Sequence, residues 1–86
     1  MSFLIAKEID GNGLKKLASR PCPNDAVIEA VTRSQKEEHE GSVIVVLDSE
    51  SGACARMRAE KLAPGVKKNL ETAVLSKLKK EIARIS

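Results

Sequence analysis

Apolar positions along this chain switch between a period of two and a period near 3.6, and each switch marks an element. Residues 2–9 alternate: Phe3, Ile5 and Ile9 share one side, and Leu4, Ala6 and Glu8 share the other. This predicts a short strand with Lys7 as the polar intruder on its apolar side. Asp10-Gly11-Asn12-Gly13 supplies residues that turns need. A short helix is expected over residues 14–19, with Asn12 as its N-cap and Pro21-Cys22-Pro23 as its stop. A second helix, capped by Asn24 or Cys22, carries Val27, Ile28 and Val31 as its apolar stripe. It is expected to run through the polar residues 34–40 to Gly41 at C′. Glu37, Glu38 and Glu40 would oppose the dipole at that end, so the last turn is expected either to fray or to lean on a cation, which a basic terminal helix would donate.

Val43-Ile44-Val45-Val46-Leu47 is β-branched and apolar on both faces, which predicts a central strand. Residues 48–52 form a hairpin-sized loop, so the next strand returns antiparallel. That strand alternates cleanly, with Ala53, Ala55, Met57 and Ala59 on one face and Cys54, Arg56, Arg58 and Glu60 on the other. Pro64-Gly65 opens a last helix over residues 64–86, in which Leu70, Val74, Leu75, Leu78, Ile82 and Ile85 cover about half of the circumference at ~100° per residue. The expected fold class is α+β in the order β-α-α-β-β-α. A small antiparallel three-stranded sheet with helices packed on one face would bury every apolar stripe, in one domain spanning residues 1–86.

That order resembles the KH-type RNA-binding fold and the small DinI-type regulators. The KH signature Gly-x-x-Gly between the first two helices is replaced here by Arg20-Pro21-Cys22-Pro23. DinI-type proteins end in an acidic helix, whereas this chain ends in a basic one. The likeness is of topology alone, and no functional residue is carried over from either family.

Charge sharpens the picture. The chain has 15 Lys/Arg and 12 Asp/Glu, a net charge of +3. Residues 64–86 hold six cations against Glu71 and Glu81, while residues 1–63 hold nine against ten acids. The surplus therefore sits on the terminal helix, where a negatively charged partner would dock. Arg56 and Arg58 share one strand face and add a second basic stripe; on an edge strand they would equally discourage self-pairing. Lys67 and Lys68 stand in the first helical turn, where backbone N–H groups suit an anion. Lys77, Lys79, Lys80 and Arg84 continue the basic face, giving eight candidate partner- or phosphate-binding residues in all.

Other chemistries lack their signatures. Cys22 lies between two prolines near a helix start, but the single histidine, His39, falls at the far end of that helix, and no Cys-x-x-Cys is present. No spacing suits a metal, and Gly11-Asn12-Gly13 lacks the remaining residues of a nucleotide loop. No catalytic residue, metal or cofactor is expected. No segment reaches the ~20 apolar residues of a membrane span, and residues 1–7 lack the basic start of a signal peptide. The expectation is a cytoplasmic protein with free thiols at Cys22 and Cys54.

The leading expectation is a small non-enzymatic regulatory or accessory protein that docks on a partner protein through the terminal helix and the Arg-bearing strand. The alternative is nucleic-acid binding by the same cations, which the lack of Trp and Tyr disfavours for single strands. The small size and the wide apolar stripe of the last helix also favour a homodimer.

Overall fold

Two hairpins, each followed by a helix, make up the protein in a computed structural model that describes residues 2–9 and 13–85. Strands β1 (Phe3–Ile9) and β2 (Gly13–Arg20) precede helix α1 (Pro23–Ser34); β3 (Val43–Asp48) and β4 (Cys54–Arg58) precede helix α2 (Pro64–Ile85). All strand pairs are antiparallel, in the order β2-β1-β3-β4. The class α+β holds; the sheet has four strands, not three.

The extra strand comes from the segment expected as a helix over residues 14–19. A helix of that length is too short to recover its nucleation cost, whereas a strand saturates the outer edge of β1. Between Ile5 and Ala6 the register shifts, so that Ile5 opposes Ala18 while Ala6 opposes Lys16. This bulge leaves Leu17 unpaired, and both Leu17 and Ala18 pack against the core. Two consecutive inward residues break the period of two and hide the strand in the sequence. The turn residues Asp10, Gly11 and Asn12, including the expected N-cap, lie outside the described residues.

Helix α1 starts at Cys22, whose extended backbone (φ −115°, ψ 135°) precedes Pro23 in the first turn, and the Ala26 N–H donates to the Cys22 carbonyl at 3.0 Å. Its buried stripe is Ala26, Val27, Ala30, Val31 and Ser34. Ile28, expected in that stripe, is 51% exposed. The helix ends at Ser34 rather than running to Gly41, with Arg33 favourably placed in its last turn. A separate 3-10 turn, Glu37–His39, follows. Gly41 does adopt a left-handed φ of +83°, but it turns the chain into β3, its N–H donating to the Ala59 carbonyl at 2.9 Å. The cation beside Glu37 is Lys61 at 3.3 Å, from the segment ahead of α2 and not from the helix.

β3 is a central strand, as its composition predicts. Ala53, Ala55, Met57 and Ala59 are buried, while Arg56, Arg58 and Glu60 are exposed, so the β4 alternation holds. Both helices cover the face that presents Ile5, Ile44, Val46 and Met57, and Val74 and Leu78 of α2 complete the core. No described helix is long and apolar enough to cross a membrane.

Candidate functional site

Strand register places three rows of side chains on the sheet face opposite the helices. They are Ser19–Leu4–Leu47–Cys54, Lys16–Ala6–Val45–Arg56, and, just past the last β1–β3 pair, Leu14–Glu8 alongside Val43–Arg58. The two central strands thus carry an aliphatic strip, and β4 frames it with Arg56 and Arg58. Arg56 does not project freely. Its Nε lies 3.0 Å from Glu8 Oε2, two strands away, so its side chain crosses β3 between the Val45 and Val43 rows. The contact is an ion pair without hydrogen-bond alignment, since Glu8 Oε2 is buried and accepts no hydrogen bond. Arg58 is exposed, and no ion pair is formed by it among the described residues.

At the β4 edge the sheet meets α2 across a groove of about 380 Å³. Arg56, Arg58 and the acidic Glu60 stand on the strand wall; Val66, Leu70 and Ala73 form much of the helix wall beside Asn69, with Leu62 from the connection. Residues 66, 69, 73, 77, 80 and 84 follow one another at intervals of three and four, so Lys77, Lys80 and Arg84 continue the same flank of α2 toward its C-terminus. Arg84 is held by Glu81 at 2.8 Å. That hydrogen bond and charge raise the Arg84 pKa and lower the Glu81 pKa.

The remaining cations go elsewhere. Lys68 and Lys79 occupy the opposite flank with Thr72 and Leu75, where a second, more open trough of about 460 Å³ is lined by Thr72, Leu75, Ser76, Lys79, Lys80 and Ala83, so Lys80 borders both flanks. Lys67 is half-buried, and its N–H already donates to the Ala63 carbonyl at 2.9 Å, so this amide is not free for an anion. The structure thus sorts the eight candidates into four along the β4 side of α2 (Arg56, Arg58, Lys77 and Arg84), Lys80 between the two flanks, two on the far side and the half-buried Lys67.

Gln35 anchors the connection between β4 and α2, which contributes Glu60 and Leu62 to the groove. The Leu62 N–H donates to Gln35 Oε1 at 2.8 Å, and Gln35 Nε2 donates to the Glu60 carbonyl at 2.9 Å. Nε2 also reaches Ser34 Oγ at 3.1 Å, and that buried hydroxyl donates to the Val31 carbonyl at 2.6 Å. At the other end of β4, Asp48 organises the turn. Its carboxylate accepts from Ser51 Oγ at 2.8 Å and from the Glu50 N–H at 3.1 Å. These bonds hold its pKa below the usual carboxylate value against the opposing effect of burial.

Sequence reasoning missed Glu8, Gln35, Leu62 and the Val66–Leu70–Ala73 wall. The apolar residues at 66, 70 and 73, beside the cations at 77, 80 and 84, were the available signal for the wall.

His39 is 6% exposed, and its Nδ1 is buried without a partner. Burial pushes its pKa down, Glu38 opposes that, and the charges of Lys7, Lys36 and Arg33 reinforce it. Cys22 and Cys54 are unpaired, and among the described residues no three His, Cys, Asp or Glu side chains gather as a metal site. No family model matches the chain, and no curated protein or solved structure matches it.

Proposed function

We propose that this chain is a small, non-enzymatic regulatory or accessory protein that docks on a partner protein through β4 and the adjoining flank of α2, in a cytoplasmic setting that suits its two thiols. The observation that carries this proposal is the groove itself. Arg58, which forms no ion pair among the described residues, stands beside the groove walled by Val66, Leu70 and Ala73, which pairs electrostatic steering with an apolar trough able to slow dissociation; Arg56 adds to it when it leaves Glu8. A nucleic-acid partner would use the same cations on phosphates. The only aromatic residue, Phe3, is 2% exposed in the core, so no aromatic platform is available for stacking bases. This favours the protein partner.

The test has two arms. Labelled DNA and RNA are titrated by fluorescence anisotropy from low to physiological salt. In parallel, a photo-cross-linking residue at Ala73 is used to trap partner proteins from an extract of the source cells. A discrete protein adduct that disappears when Lys77 and Lys80 are changed to Glu supports docking. Micromolar nucleic-acid binding with a steep salt slope, and no protein adduct, would replace it with the alternative.

A further inference from the structure

β4 is an edge strand, and its free side opens directly onto the groove. The Ala59 N–H donates to the Ser42 carbonyl at 2.7 Å, and the Asp48 N–H to the Ala53 carbonyl at 2.8 Å. In an antiparallel ladder these two bonds fix the parity. Ala53, Ala55, Met57 and Ala59 direct their backbone groups toward β3, so Cys54, Arg56 and Arg58 direct theirs outward. Resting on the proposed docking role, we infer that the partner binds as an added β-strand: an extended segment of alternating acidic and apolar residues pairs with the free edge of β4.

The alternation follows from the two walls. A strand laid beside β4 sends every second side chain to the helix side, into the space lined by Leu62, Val66, Leu70 and Ala73. The intervening side chains rise on the open face next to Arg58, which is without an ion pair among the described residues, and next to Arg56, which would exchange Glu8 for an incoming carboxylate; Glu60 marks the acidic end of this face. Lys77 and Lys80 lie farther along the helix flank and attract the same negative charge.

A second copy of β4 is a poor occupant, because antiparallel self-pairing would set Arg56 and Arg58 against the same arginines. The other free edge, β2, is also basic at Lys15 and Lys16, and its bulge bends it away from regular pairing. The groove beside β4 distinguishes the two edges.

The probe is the labelled peptide acetyl-Asp-Val-Asp-Leu-Asp-Val-Asp-amide, titrated by anisotropy and by amide NMR. Its Lys-for-Asp counterpart and a version N-methylated at alternate residues serve as controls. Binding should shift the amides of Cys54, Arg56, Val66 and Ala73, fail with the Lys peptide, and disappear in one N-methyl register. Arg58→Pro removes an outward N–H at a position where an edge strand tolerates proline, and Arg58→Gln removes only the charge. The proline variant should bind about three- to tenfold more weakly than the glutamine variant, the loss of one backbone hydrogen bond. Circular dichroism verifies its fold, and if it unfolds, the N-methyl series on the unaltered protein decides between strand addition and another geometry. Equal binding by both variants with insensitivity to N-methylation, equal binding of the Lys peptide, or a dimer paired through β4 would overturn strand addition. If any of these occurs while the Lys77 and Lys80 changes still abolish the protein adduct, docking stands and only its geometry falls. Loss of both removes the docking role as well.

Discussion

Gln35→Ala should destabilise the protein by about 1–2 kcal/mol, although Gln35 is a half-exposed polar residue outside the core. Its amide bridges two elements that no other described side-chain hydrogen bond joins, the end of α1 and the connection leading into α2. Each of the two bonds contributes a net ~0.5–1.5 kcal/mol. The total sits in the lower half of the summed range because the Glu60 carbonyl is exposed and takes water when the amide is gone, while the part-buried Leu62 N–H is left less well served. Gln35→Glu is the sharper probe. It keeps an oxygen for the Leu62 N–H but replaces the donor with a second acceptor, which faces the Glu60 carbonyl and the Ser34 hydroxyl. At neutral pH it should cost at least as much as Gln35→Ala, and acidification should recover part of the loss as the new carboxyl gains a proton.

Equilibrium urea unfolding measures both variants, with the m-value checking that the exposed surface is unchanged. Hydrogen exchange at the Leu62 amide reports the local effect, and protection there should fall in Gln35→Ala. A Gln35→Ala variant within ~0.5 kcal/mol of the parent, the range of an ordinary surface change, would refute the bridging role. So would a Gln35→Glu variant as stable as the parent.

Leu78→Ala removes a fully buried side chain from the face of α2 packed in the core, and should cost about 2–5 kcal/mol by urea unfolding. The His39 pKa is depressed in the fold, so the unfolded chain binds the proton more readily. This contribution to stability is complete above the unfolded value of 6.5 and is lost as pH falls through the lower folded value. Unfolding free energy should therefore decline on acidification below about pH 6.5, and His39→Gln should flatten that slope. Glu8→Gln releases Arg56 from an exposed ion pair. Its effect on stability should stay below ~1 kcal/mol, while the acidic peptide should bind more tightly by anisotropy.

The parts of this fold that read directly from the sequence are those where one physical demand acts alone. β4 faces solvent on one side and core on the other, so Ala55 and Met57 alternate with Arg56 and Arg58. β3 has neighbours on both sides and is apolar throughout its centre. β2 was illegible because Leu17 and Ala18 both turn inward at a bulge, and because Lys15 and Lys16 between leucines imitate a helix. The end of α1 was misplaced for a related reason: Gln35 satisfies backbone groups across a long sequence separation, and nothing local announces that helix end.

The same division runs through the candidate site. The shared face of Arg56 and Arg58 follows from strand periodicity, a local property. Arg56's partner does not, because Glu8 comes within reach only when β1, β3 and β4 lie side by side. The basic face of α2 was legible as charge but not as two flanks, since the division depends on where β4 meets the helix. Lys77 and Arg84 acquire a common direction with Arg58 only through that packing, Lys68 and Lys79 lose it, and Lys80 stands between. Charge reversal at Lys77 and Arg84 should therefore weaken peptide binding more than the same change at Lys68 and Lys79, at identical net charge. Anisotropy at low salt measures both pairs, and equal losses would mean that the overall field, rather than the groove flank, governs the interaction.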